Sequence, residues 1–198
     1  IYTDSIHFDE GSYTMVGNSP TLNWNLGSSL TVDSDASVLF DSSLPVHLIN
    51  GGTRNWTING DARFEGTVWG AWAHSVIKKY GSGTLVFDGD VVKGYNYYAA
   101  RLEVHAGTAI VNGNWDAADG RFDVYYGGTL GGTGTIIAAT YLYNQGWGGT
   151  IAPGDITGDR IGTLNVSGNV GFNGGSIVNF EVGTTADKLA ATGAFNVW

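Results

Sequence analysis

The chain has 198 residues, 32 of them Gly and only 3 Pro, with 42% hydrophobic, 13% aromatic and 14% charged residues. An average globular chain carries about 7% Gly and about 25% charged residues, so turns are frequent here, while the aromatic content excludes a disordered chain. The net charge of -9 with 9 Lys and Arg excludes a nucleic-acid surface, no apolar run reaches the 18 or so residues of a membrane helix, and the lack of Cys excludes disulfides and thiolate metal sites.

Along the chain one short unit recurs: two apolar residues two apart, followed by a short polar residue and Gly or Ser. It runs Leu30, Val32, Asp33, Ser34; Trp56, Ile58, Asn59, Gly60; Leu85, Phe87, Asp88, Gly89; Ala109, Val111, Asn112, Gly113; and Leu164, Val166, Ser167, Gly168. Alternation sends each apolar pair to one side and the polar residue turns the chain, so each copy predicts a short strand ending in a corner. Gly-Thr pairs begin at Gly83, Gly107, Gly128 and Gly149, in steps of 24, 21 and 21 residues. Spacing of this size marks a solenoid, whose units bury their apolar faces only on one another. A coil of about 22 residues predicts roughly nine coils, rising on the order of 43 Å at about 4.8 Å per strand. The stretch from Trp69 to Tyr80 is bracketed by Gly70 and Gly81 and lacks a capping residue, so it reads as loop or strand.

Four blocks then follow in order: KYGSGTLVFDGD (79–90), RLEVHAGTAIVNGNW (101–115), GGTLGGTGTI (127–136) and GTIAPGDITGDRIGTLNVSGNV (149–170), closed by Asp187, Lys188 and Leu189. In content and order residues 79 to 197 resemble the autotransporter-associated β-strand repeats of Gram-negative passenger domains. The resemblance implies an all-β, right-handed parallel β-helix, exported through the outer membrane and displayed at the cell surface or secreted. Residues 1 to 78 share only the strand-and-corner pattern. The whole chain, 1 to 198, reads as one β-helix segment of a larger protein, whose membrane connection would be a C-terminal β-barrel absent from these residues. Leu85, Phe87, Leu102, Val104, Val111, Leu164, Val166, Val178 and Phe180 are expected in the core.

No constellation of residues announces a reaction, and neither catalysis nor a cofactor is expected. The carboxylate pairs Asp33 with Asp35, Asp88 with Asp90, Asp116 with Asp119 and Asp155 with Asp159 suit a glycoside-cleaving enzyme, yet each sits beside turn residues that Asp favours for local hydrogen bonds. The loop Gly154 to Asp159 offers oxygen ligands without a calcium-binding spacing. His7, His47, His74 and His105 lack metal-ligand spacing, and no metal site is expected. Aromatic residues outside the strand units are the better candidates: Trp69 and Trp72, Tyr95, Tyr97 and Tyr98, and further on Tyr125, Tyr126, Tyr141, Tyr143 and Trp147. Their rings suit sugars and protein interfaces, so Trp69, Trp72, Tyr95, Tyr97 and Tyr98 form the expected binding surface. Its partner is a host or bacterial surface protein or glycan, or a second copy. The alternative is a polysaccharide hydrolase or lyase, which should gather acidic and basic residues on one face of adjacent coils.

Overall fold

A computed structural model describes residues 1–18, 21–70, 75–93, 100–117, 121–144, 148–154 and 161–198, and their side chains except at 26, 117 and 138–144. Trp72, His74, Tyr95, Tyr97, Tyr98, Asp119, Trp147, Asp155 and Asp159 lie outside the described residues, as do the side chains of Tyr141 and Tyr143. Among the described residues every element is a strand. The strands pair in parallel in an eight-stranded and a fourteen-stranded sheet, forming a β-solenoid of about seven turns.

Each coil visits three walls. The first wall is the eight-stranded sheet, with Gly11–Met15, Ala36–Phe40, Asp61–Phe64, Thr84–Phe87, Gly107–Val111, Gly128–Gly132, Thr150–Pro153 and Ile177–Val178 stacked in that order. The second wall stacks Val46–Leu48, Val68–Trp69, Val91–Val92 and Asn114–Ala117. The third stacks Gly52–Ile58, Ser75–Tyr80, Ala100–Val104 and Phe122–Val124. In the outer coils single strands serve both of these walls: Leu22–Val32, Thr135–Asn144 and Thr163–Phe172 each pair with two different strands along their length.

Alternation fills the interior. On the first wall Val38, Ala62, Leu85, Ala109, Leu130 and Ile151 are partners in successive coils and all are buried. Beside them Phe40 stacks on Phe64 at 4.3 Å and Phe64 on Phe87 at 5.2 Å, with Trp56 5.4 Å from Phe64. Phe87 then meets Trp115 edge-on at 4.8 Å. In-register stacking makes like side chains neighbours, and each ring removed from water contributes on the order of 1.5–3 kcal/mol.

The Gly-Thr steps have a direct cause. Thr84, Thr108, Thr129 and Thr150 are partners in successive first-wall strands, so each pair opens the same strand one coil later. The Asp/Asn-Gly unit, by contrast, occupies more than one corner. Asn59-Gly60 joins the third wall to the first, whereas Asp88-Gly89 and Asn112-Gly113 join the first to the second. At that latter corner the coils approach so closely that a Cβ on Gly89 would lie 2.2 Å from the Gly66 oxygen, and one on Gly113 would lie 2.4 Å from the Gly89 oxygen.

Two expectations are corrected. About seven turns replace nine: the eight first-wall strands are separated by seven steps, which range from 25 residues between Ser12 and Ser37 and 24 between Thr84 and Thr108 to 21 between Thr108 and Thr129 and 27 between Thr150 and Ile177. Seven of the nine expected core residues are buried, but Phe180 is 48% exposed. Val178, although paired with Ile151, is only half-buried. Its strand ends after two residues, so the alternation that would have turned Phe180 inward does not continue.

Candidate functional site

The corner between the second and third walls differs from the others. Strand pairs on either side of it keep register while the connection between them varies. Val68 and Trp69 pair with Val91 and Val92, and Val91 with Trp115. Beyond the corner Ser75 pairs with Ala100, and Leu102 with Phe122. Three successive connections, 70–74, 93–99 and 118–121, thus join the same two walls between strands that stay in register. Their lengths are set by nothing in the core, since the strands on both sides are already in register.

Trp69 stands at the foot of the first connection on the outer side of its strand, 41% exposed. The His47 ring one coil earlier meets it edge-on at 5.7 Å, and burial holds the His47 pKa below its usual value. Of the five expected binding residues Trp69 alone falls among the described ones.

The outer side of the third wall carries a cluster that the sequence reading passed over. Lys78, Glu103 and Asp123 are partners in successive coils. Arg101 Nη2 donates to Glu103 Oε1 at 3.0 Å and also to Asp123 Oδ2, which accepts from Arg121 Nε at 2.9 Å. Glu103 Oε2 is held by Lys78 Nζ at 3.3 Å and His105 Nε2 at 3.0 Å. Burial raises the Glu103 pKa, but His105, Arg101 and Lys78 together hold it below the usual value. At Asp123 burial prevails and pushes the carboxyl up, against the pull of Arg101 and Arg121. Alongside runs a ladder of rings: Tyr80 stacks on His105 at 4.7 Å and His105 on Tyr125 at 4.3 Å. Rings at this separation cover one another's faces, so the middle of the ladder presents edges and cannot stack on a sugar.

This is the gathering of acids and bases on adjacent coils that an enzyme would require. Three of its four carboxylate oxygens are nonetheless engaged, and the fourth, Asp123 Oδ1, is buried without a partner. Asp123 is 0% exposed, and the same guanidinium bonds both acids. A general acid must reach the proton it transfers, and a sealed carboxylate does not reach a glycosidic oxygen. His105 follows the buried Val104 and lies on the outer side of the wall.

The carboxylate pairs read from the sequence do corner work where they are described. Asp88 Oδ1 accepts from Asn112 Nδ2 at 2.8 Å, Asp90 Oδ1 from the Asn114 amide at 2.8 Å, and Asp33 is bonded by His7 at 2.9 Å. Among the described residues no three His, Asp or Glu side chains converge as a metal site.

Among the described residues two cations lie inside the solenoid, each among neutral oxygens. Lys79 Nζ donates to the carbonyls of Gly81 at 2.8 Å, Ala106 at 3.0 Å and Tyr80 at 3.2 Å, and approaches that of Ile58 at 3.5 Å. Gly81 and Gly107 beside it have φ of 82° and 64°. Arg54 is the second buried cation. The resemblance to passenger repeats rests on the residue blocks of the sequence alone. Compared with family models, with curated proteins and with solved structures, the chain matches none.

Proposed function

We propose that this chain is a stalk segment of an exported passenger protein, and that it presents an adhesive or self-association surface at the corner between the second and third walls. The observation that carries this reading is that the strands on both sides of this corner keep register through successive coils although the connections between them, 70–74, 93–99 and 118–121, differ in length. Repeated positions serve stacking, so recognition falls to the residues that depart from the repeat. Those connections and their feet hold Trp69, Trp72, Tyr95, Tyr97 and Tyr98 in the sequence, a density of aromatic residues that suits a protein or glycan partner or a second copy.

Cells displaying the chain test the reading. Replacing Trp69, Trp72 and Tyr97 with Ser weakens adhesion or clumping while the circular dichroism stays β-type; undiminished adhesion by the folded variant refutes it. A polysaccharide hydrolase is the second reading: acids and bases do gather at Glu103 and Asp123, but catalysis there requires the ion pairs that seal them to open. The stalk reading expects no turnover of acidic or neutral polysaccharides by the purified protein. Turnover that Glu103→Gln abolishes would decide for the enzyme.

A further inference from the structure

Arg54 is 0% exposed and its guanidinium meets no carboxylate. Nη2 donates to the carbonyls of Ile49 at 2.5 Å, Asn50 at 2.8 Å and Trp24 at 3.1 Å, and Nη1 to the Ser75 hydroxyl at 3.3 Å and the Gly52 carbonyl at 3.4 Å. Nε has no partner. A buried charge without a counter-ion is costly unless dense, well-aimed hydrogen bonds replace water. Here five oxygens from three successive coils do so, Trp24 belonging to the coil before and Ser75 to the coil after. Asn50 helps to aim them, because its φ of 59° is a left-handed conformation that costs a non-Gly residue energy and persists only where surroundings hold it.

We propose that this corner is a receptor for the guanidinium ion itself, with Arg54 as its tethered occupant. Every hydrogen bond is made by the two terminal nitrogens, so a free guanidinium ion can make the same set, and the tether adds proximity alone. The acceptors stand on separate coils whose positions are set by the strand ladder. The site therefore outlasts removal of the side chain. Carbonyl oxygens around a flat, weakly hydrated cation also favour guanidinium over compact ammonium or sodium ions.

The test is Arg54→Ala, unfolded and refolded in millimolar guanidinium chloride, with sodium chloride, ammonium chloride and urea as separate controls. Guanidinium, a denaturant for the parent protein, is expected to raise the variant's thermal midpoint by about 2–4 °C while leaving the parent unchanged or lowering it. Urea has the same planar shape without the charge and should not rescue. Arg54→Lys, which carries its own cation into the site, should not respond to guanidinium. If Arg54→Ala does not fold unaided, the readout becomes recovery of the β-type circular dichroism by guanidinium. Equal effects of guanidinium on variant and parent, equal rescue by sodium chloride, or an unfolded variant that guanidinium fails to restore would each overturn the proposal.

Discussion

Lys79 lies two residues past Ile77 on the inward side of its strand, between Trp56 and Val104 of the neighbouring coils. Its stem packs among apolar side chains and its ammonium reaches the corner carbonyls, which ties three coils together. Burial pushes its pKa from 10.5 down to about 8, so at neutral pH the corner still holds an ammonium. Lys79→Met leaves the Tyr80, Gly81 and Ala106 carbonyls short of donors and is expected to cost about 1–3 kcal/mol in urea unfolding at pH 7. The pH dependence has a definite sign. Between about 8 and 10.5 the unfolded chain keeps a proton that the folded chain has released, so the contribution of Lys79 to stability grows as pH rises through that window. The gap in unfolding free energy between parent and Lys79→Met should widen from pH 8 to pH 10, and a gap that narrows would contradict the assignment. Strand parity in SVIKKY already sets Lys79 beside Ile77 and opposite Lys78, so its inward position was legible in the sequence. The acceptors were not, because they come from Ala106, a coil away, and from a glycine's backbone.

At the scale of the strand and its corner, the sequence was most informative where geometry repeats. Thr84, Thr108, Thr129 and Thr150 stack as their spacing required, and Leu85, Phe87 and Val111 turn inward as alternation required. The two-apolar unit was less informative. Any strand that ends at a tight corner writes the same residues, whichever corner it is, so copies from different walls looked alike. The third-wall ion cluster was illegible for a related reason: Lys78, Glu103 and Asp123 are far apart in the chain, and only the registers, unknown beforehand, align them. Close approach at corners gives a sharp test. A Cβ on Gly83 would lie 1.8 Å from the Gly60 carbonyl oxygen, backbone against backbone, whereas one on Gly174 would meet nothing within 4 Å. Gly83→Ala is expected to destabilise by about 3 kcal/mol or more, since neighbouring coils must separate to admit it. Gly174→Ala should stay within about 0.5 kcal/mol of the parent. Urea midpoints of the two variants check this contrast.

Over the whole molecule, seven turns share one interior whose filling changes along its length. Aromatic rings interleave with aliphatic side chains from Phe8 to Phe122, and Leu130, Ile136, Ile151, Leu164, Val166 and Val170 fill the later coils. The stacked walls expected of a β-helix are present. The residues between the second and third walls carry no sequence periodicity, so the proposed binding role of Trp72, Tyr95, Tyr97 and Tyr98 rests on composition and on the register of the strands that flank them.

Parallel stacking also fixes how such a body answers to tension. The inter-strand bonds of a solenoid lie along its long axis, so a force applied between its ends loads them one rung at a time, like the teeth of a zipper, and not as a sheared array. Coils should therefore peel singly. Each coil of 21 to 27 residues lengthens the tether by roughly 70–95 Å when drawn out. Optical-tweezer or force-microscope traces should show low, evenly spaced teeth of that length, and a single tall rupture extending the whole chain would rule out this mode of yielding. A body that gives way by small instalments absorbs a tug without parting at once, and the same rungs rewind in order when the load is released.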